Sequence, residues 1–146
     1  MHLLQLTPNL MVRDVTETVK FYCRLFGFEI QYLIEEGGES NENFDTDIHS
    51  DKTYQYAGLI NGSYRLGLQT QKSIHTDIPE IVSLTKPVFS GSLYIEIESL
   101  AAFKNLLTDQ SIREVPRTWY GMHEIYLQDP NGYILCVATK TPKPKK

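Results

Sequence analysis

The sequence of 146 residues predicts an α+β fold built from two tandem βαβββ modules. Two observations predict it. The order strand, helix, three strands reads twice along the chain, and the two copies keep one offset: Asp14 and Ser99, which open the two helices, lie 85 residues apart, as do Thr7 and Ser92 in the two leading strands.

Residues 3–12 predict the first strand. Asp14 then opens a helix with Glu17 three residues on, the capping-box spacing that satisfies free amides of the first turn. Val15, Val19, Tyr22 and Phe26 recur at helical spacing as one apolar stripe, and Gly27 supplies a left-handed stop. Residues 28–34 resume as a strand. Strands at 53–60 and 63–70 flank Asn61 and Gly62, a strong hairpin signal that predicts a type I′ turn. After a connector, 92–97 alternates as a strand, and Ser99 caps a short helix carrying Leu100, Phe103, Leu106 and Leu107. Strands follow at 112–117, 122–128 and 133–139, the last two joined by Asp129, Pro130, Asn131 and Gly132. The expected organisation is a first module at 1–70, a connector at 71–90, a second module at 91–139 and a basic tail at 140–146, all within one domain. Each helix covers one face of its sheet. The other face must meet the other half, a partner chain or a ligand.

Composition narrows the function classes. With 41% hydrophobic and 22% charged residues the chain can bury a core rather than stay disordered. Four lysines, Lys140, Lys143, Lys145 and Lys146, crowd the last seven residues, so the rest of the chain is more acidic than its net charge of −4 suggests. That speaks against a nucleic-acid footprint. No apolar run reaches the roughly 20 residues of a membrane span, and no leader is evident, so a cytoplasmic protein without membrane contact is expected. Cys23 and Cys136 are too few for a disulfide framework and lack metal-motif spacing.

Strand alternation sorts the side chains. Leu66 and Leu68 take the parity of the helix side and leave Arg65, Gly67 and Gln69 on the opposite face. Likewise Ser92, Tyr94 and Glu96 oppose Leu93, Ile95 and Ile97, and Glu124, Tyr126 and Gln128 oppose Ile125 and Leu127. Tyrosines mixed with Glu, Gln and Arg suit a wet ligand groove, where flat rings stack and a few polar groups orient. A solvated face with incidental tyrosines is the alternative. Glu96 and Glu124 could pair as carboxylates across the sheet. The seven acids between Glu35 and Asp51 could favour a cationic ligand or simply solvate a loop. His2, His49, His75 and His123 show no local ligand spacing.

The segments "TPNLMVRD" running into "FYCRLFGFEI", and "GMHEIYLQDPNGYILCVA", resemble the glyoxalase, bleomycin-resistance and extradiol-dioxygenase superfamily, the vicinal oxygen chelate proteins, and most of all its bleomycin-resistance branch. The resemblance implies paired βαβββ modules whose curved mixed sheets form a cleft, commonly in a homodimer. It also implies four metal-ligand positions, which here are Thr7, Gly67, Ser92 and Cys136. None is His or Glu, and a divalent catalytic ion needs several imidazole or carboxylate ligands. The expectation is no metal, no cofactor and no assigned catalytic residue. The resemblance further implies stacking aromatics at Tyr56 and at Trp119 or Tyr120, which compete for one role.

The leading expectation is a non-catalytic protein that binds or sequesters a small, flat, possibly cationic organic molecule. Its ligand-binding residues would be Tyr56, Arg65, Gln69, Tyr94, Glu96, Trp119, Tyr120, Glu124 and Tyr126. The alternative is a glyoxalase- or dioxygenase-like lyase or transferase with an atypical metal or none, using Glu124 or His123. A third reading is an interaction module whose cleft is filled by its own side chains.

Overall fold

The computed structural model describes residues 1–38, 44–88 and 90–143. Glu39 and Glu42 of the acidic stretch, and Lys145 and Lys146 of the tail, lie outside the described residues. The chain divides into two units, Met1–Val88 and Phe89–Lys146. Each contains one βαβββ module, so the predicted α+β architecture is present twice.

In the first unit β1 (Asn9–Val12) leads into α1 (Val15–Phe26), followed by β2 (Glu29–Glu35), β3 (Tyr54–Asn61) and β4 (Tyr64–Thr70). The sheet order is β1-β4-β3-β2, with β1 and β4 parallel and the other pairs antiparallel. Helix α1 forms where the sequence places it. The Asp14 carboxylate accepts the Glu17 N–H at 2.8 Å, and Gly27 ends the helix at φ +66°, where its N–H reaches the Cys23 carbonyl. Val15, Val19, Tyr22 and Leu25 bury their stripe against Leu59, Leu66 and Leu68 of the sheet. Cys23 is half-buried at its edge.

Three expectations shift. The first strand begins at Asn9 rather than at residue 3, and Leu3, Leu4 and Leu6 are exposed. In the β3–β4 hairpin Asn61 pairs with Tyr64, so the loop is Gly62 and Ser63, one residue later than expected. Gly62 alone has positive φ (+58°), the pattern of a type II′ turn rather than I′. Asn61 belongs to the strand and donates its Nδ2–H to the Phe26 carbonyl at 2.8 Å, closing the C-terminal end of α1. The 71–90 connector carries a further helix, α2 (Gln71–Asp77), and a 3₁₀ turn at Pro79–Ile81.

The second unit repeats the plan with β5 (Leu93–Glu96), α3 (Leu100–Lys104), β6 (Ser111–Val115), β7 (Met122–Gln128) and β8 (Ile134–Lys140), in the order β5-β8-β7-β6. Ser99 caps α3, whose Leu100 and Phe103 are buried. The helix stops before Leu106, which is exposed, so the expected stripe is shortened. Asp129 shapes the β7–β8 turn: its carboxylate accepts the Asn131 and Tyr133 amides at 2.8 and 3.0 Å. Lys140, expected in the tail, is the last residue of β8. Among the described residues no helix is long and apolar enough to cross a membrane.

Candidate functional site

In the second sheet the register lines up two rows on the face away from the Ile125 and Leu127 side chains. Tyr94, Cys136, Tyr126 and Arg113 form one row; Glu96, Ala138, Glu124 and Val115 form the next. Glu124 is the centre of the face. It is 1% exposed, and burial of a carboxylate is tolerated when its lone pairs are taken. The Tyr120 hydroxyl donates to it, 2.5 and 2.9 Å from the two carboxylate oxygens, and the Cys136 thiol donates at 3.3 Å. Tyr94 also feels the negative charge of this carboxylate.

This network holds its donors in the protonated state. The hydrogen bond to Glu124, then burial, pushes Tyr120 up to about 12. Burial first and Glu124 second push the Cys136 thiol up to about 11, so it is a proton donor and not a thiolate nucleophile near neutrality. Tyr126 is raised chiefly by the hydrogen bond it gives to Cys136, and Tyr94 chiefly by burial. The Arg113 guanidinium lies 3.9 Å from the centre of the Tyr126 ring, a cation–π contact that already occupies that face.

The competing aromatics separate. Thr118 clamps the approach to β7: it exchanges backbone bonds with Met122 and Gly121, and its hydroxyl accepts the Met122 N–H at 2.9 Å. With Gly121 at φ +82°, Tyr120 turns to Glu124 while Trp119 stays 96% exposed, edge-on to the Tyr120 ring at 5.2 Å. Glu96 and Glu124 do not form a direct pair. Both flank Ala138, two strand spacings or roughly 10 Å apart, and Glu96 faces Lys140 at 3.9 Å. His123 takes the other parity and bonds Glu114 at 2.5 Å.

The first sheet places the remaining expected residues on one face, but several are spoken for. Gln69 is 3% exposed: its amide N–H groups donate to Ser73 and Asp77 at 2.9 and 2.7 Å, and its carbonyl accepts from Asn9 at 2.8 Å. It ties α2 to the sheet. Arg65 donates to Gln31 at 2.7 Å. Tyr56 stacks on Tyr32 with ring centres 5.7 Å apart, and burial, then the bond with Tyr32, takes its hydroxyl up to about 12. Phe44 also packs on Tyr32, with ring centres 5.4 Å apart. Of the acidic stretch, Asp45 is drawn to the sheet by Lys52 at 3.0 Å and by the Tyr54 hydroxyl at 3.0 Å, which hold its carboxyl below the usual range.

The four positions implied as metal ligands do not fit a divalent ion. Gly67 has no donor, and a side chain there would meet the Tyr56 hydroxyl at 2.5 Å and the Asn9 side-chain Oδ1 at 2.8 Å. Thr7 takes a hydrogen bond from Gln5 at 2.8 Å, Ser92 offers a neutral hydroxyl, and Cys136 is protonated and engaged. Imidazoles and carboxylates do not supplement them: among the described residues no three His, Cys, Asp or Glu side chains gather as a ligand set.

Cys136, Arg113, Tyr32 and Asn9 belong to these faces and are absent from the ligand set expected from sequence. The β7–β8 pairing was the available signal for Cys136. A hairpin centred on Asn131 sets Tyr126 and Cys136 opposite each other.

Two βαβββ modules, the second with a polar, aromatic sheet face, define a two-module α+β protein. The chain matches the model of the Glyoxalase/Bleomycin resistance protein/Dioxygenase superfamily over residues 2–137, and it belongs to that superfamily. No curated protein matches it. Among solved structures it is similar to a glyoxalase/bleomycin resistance protein/dioxygenase family enzyme from Burkholderia phytofirmans PsJN (16% identity, TM-score 0.67, 92% of this chain and 96% of that one). It is also similar to the fosfomycin resistance protein FosX from Listeria monocytogenes (15%, 0.60, 97% and 94%) and to TioX from Micromonospora sp. ML1 (14%, 0.64, 93% and 98%). At these identities the likeness is one of fold.

Proposed function

We propose that the chain is a non-catalytic small-molecule binding protein of the bleomycin-resistance type, taking a flat, cationic organic molecule on the Glu124 face of its second sheet. The observation that carries this reading is the hydrogen-bonded group of Tyr120, Glu124 and Cys136. Its hydroxyl and thiol hold their protons far above neutral pH, which leaves a fixed donor and acceptor pattern rather than an activated nucleophile. Tyr94, 52% exposed, offers an open ring for stacking beside that carboxylate. Tyr126 contributes less ring area than the sequence suggests because Arg113 covers it. That FosX is named a resistance protein is consistent with a role in drug tolerance. A homodimer and a cytoplasmic place complete the proposal, and light scattering on the purified chain tests the first.

Emission of Trp119, which abuts Tyr120, reports occupancy. Titration with methyl viologen, proflavine and ethidium, with Trp119→Phe as the control for tyrosine emission, is expected to give saturable quenching. Glu124→Gln should weaken it by about tenfold, the loss of one negative charge acting through the face from beneath the ligand. Absence of binding by calorimetry across the panel, or equal binding by Glu124→Gln, contradicts the proposal.

A further inference from the structure

The first unit holds a second feature that the Glu124 face does not explain. Strands β1 and β4 run parallel and end side by side at Val12 and Thr70. The residues that leave these ends, Arg13 on one and Gln71 and Lys72 on the other, border a cavity of about 280 Å³ that Thr85, Lys86 and Pro87 also line. The latter segment is fastened. A carbonyl can only accept, so the His75 Nε2–H donates to Leu84 O at 2.7 Å and fixes the chain just before Thr85. Helix α2 is fastened too, through Gln69 to Ser73 and Asp77.

Among the described residues the lining carries three cationic side chains and no carboxylate. That is a notable concentration in a chain of net charge −4. Asp77, the acid nearest Lys72 in sequence, accepts from Gln69. Among the described residues neither Lys72 nor Lys86 takes part in an ion pair. Lys72 and Lys86 thus border one cavity without an ion pair of their own, and an anion held there is attracted by both charges. Thr70 accepts the Ser73 N–H on its hydroxyl oxygen, which leaves the hydroxyl proton to donate, and Thr85 brings another hydroxyl.

From this geometry we infer that the cavity bordered by Arg13, Lys72 and Lys86 binds a phosphate group, free or as the head of a small phosphorylated molecule. The volume lies near the lower end of small-molecule pockets, roughly 300–1,000 Å³, and so admits a phosphate with a short organic remainder. The cavity belongs to the first unit and the proposed ligand face to the second sheet, and its test does not depend on that proposal.

Calorimetry on the full chain with inorganic phosphate and with glycerol 3-phosphate, against chloride at equal ionic strength, tests it. Saturable binding by phosphate and none by chloride is expected. Lys72→Gln and Lys86→Gln, both at exposed positions, should each weaken phosphate by about tenfold, while Lys104→Gln in the second unit leaves it unchanged. Equal affinity for the two ligands assigns the site to the bare oxyanion, and tighter glycerol 3-phosphate assigns it to a phosphomonoester. Heat from chloride matching that from phosphate, or wild-type affinity in both lysine variants, overturns the assignment. Line broadening of the phosphorus signal on the unmodified protein gives a second readout, independent of how the variants fold; its absence at millimolar phosphate also overturns it.

Discussion

At the scale of single residues, Glu124 sets the chemistry of its neighbours. Its negative charge disfavours ionisation of Tyr120 and Cys136, so Glu124→Gln should lower both from about 12 and about 11 toward their ordinary values. Absorbance at the phenolate band follows the tyrosine, and thiol reactivity against pH follows Cys136 in a Cys23→Ser background. Unchanged profiles would show that burial alone raises them. Gly58 makes a packing prediction in the first sheet. A Cβ there would lie 2.5 to 3.1 Å from three atoms of the Tyr32 ring, a stiff group that cannot slip aside. Gly58→Ala should therefore cost about 1–3 kcal/mol in urea unfolding and disturb the Tyr32–Tyr56 stack. What sequence could read at this scale was parity: alternation placed Tyr94, Glu124 and Tyr126 on one face because the strand period leaves no choice. It could not choose between Trp119 and Tyr120, since a left-handed Gly121 and the Thr118 clamp decide which ring turns inward. Nor could it foresee that Gln69 is consumed by α2.

At the scale of elements, a helix was legible when it carried both a cap and an apolar stripe. Helix α1 has both, and Asp14→Ala should cost about 1 kcal/mol, measured as a lowered denaturation midpoint with an unchanged slope. Helix α2 has the cap, Thr70, but buries Ile74 alone, so no periodicity marks it and its cap falls on the last residue of a strand. The hairpin after β3 slipped by one residue for a related reason. Asn-Gly is a loop signal by propensity, yet Asn61 is held in the strand by its bond to the end of α1, a contact 35 positions away in sequence. The β7–β8 turn was legible because Asp129 satisfies the Asn131 and Tyr133 amides within a few residues.

At the scale of the whole molecule, protonation couples to stability with a definite sign. Cys136 binds its proton more tightly folded than unfolded, so its contribution is complete below about pH 9 and is lost as pH rises through about 11. Cys136→Ala should flatten the fall in stability over that alkaline window, read from urea midpoints at a series of pH values. The superfamily assignment supplies the architecture and leaves activity to the side chains present. The residues at Thr7, Gly67, Ser92 and Cys136 are poor in metal donors, which joins the hydrogen-bonded Tyr120–Glu124–Cys136 group in favouring a binder over a metalloenzyme. The most direct test is elemental analysis of the purified protein joined to thermal unfolding with zinc, nickel, manganese and iron(II). We expect less than a tenth of an ion per chain, roughly, and no metal-dependent rise in midpoint. One tightly held ion per chain, released by a chelator with loss of stability and weakened by Cys136→Ala, would contradict it.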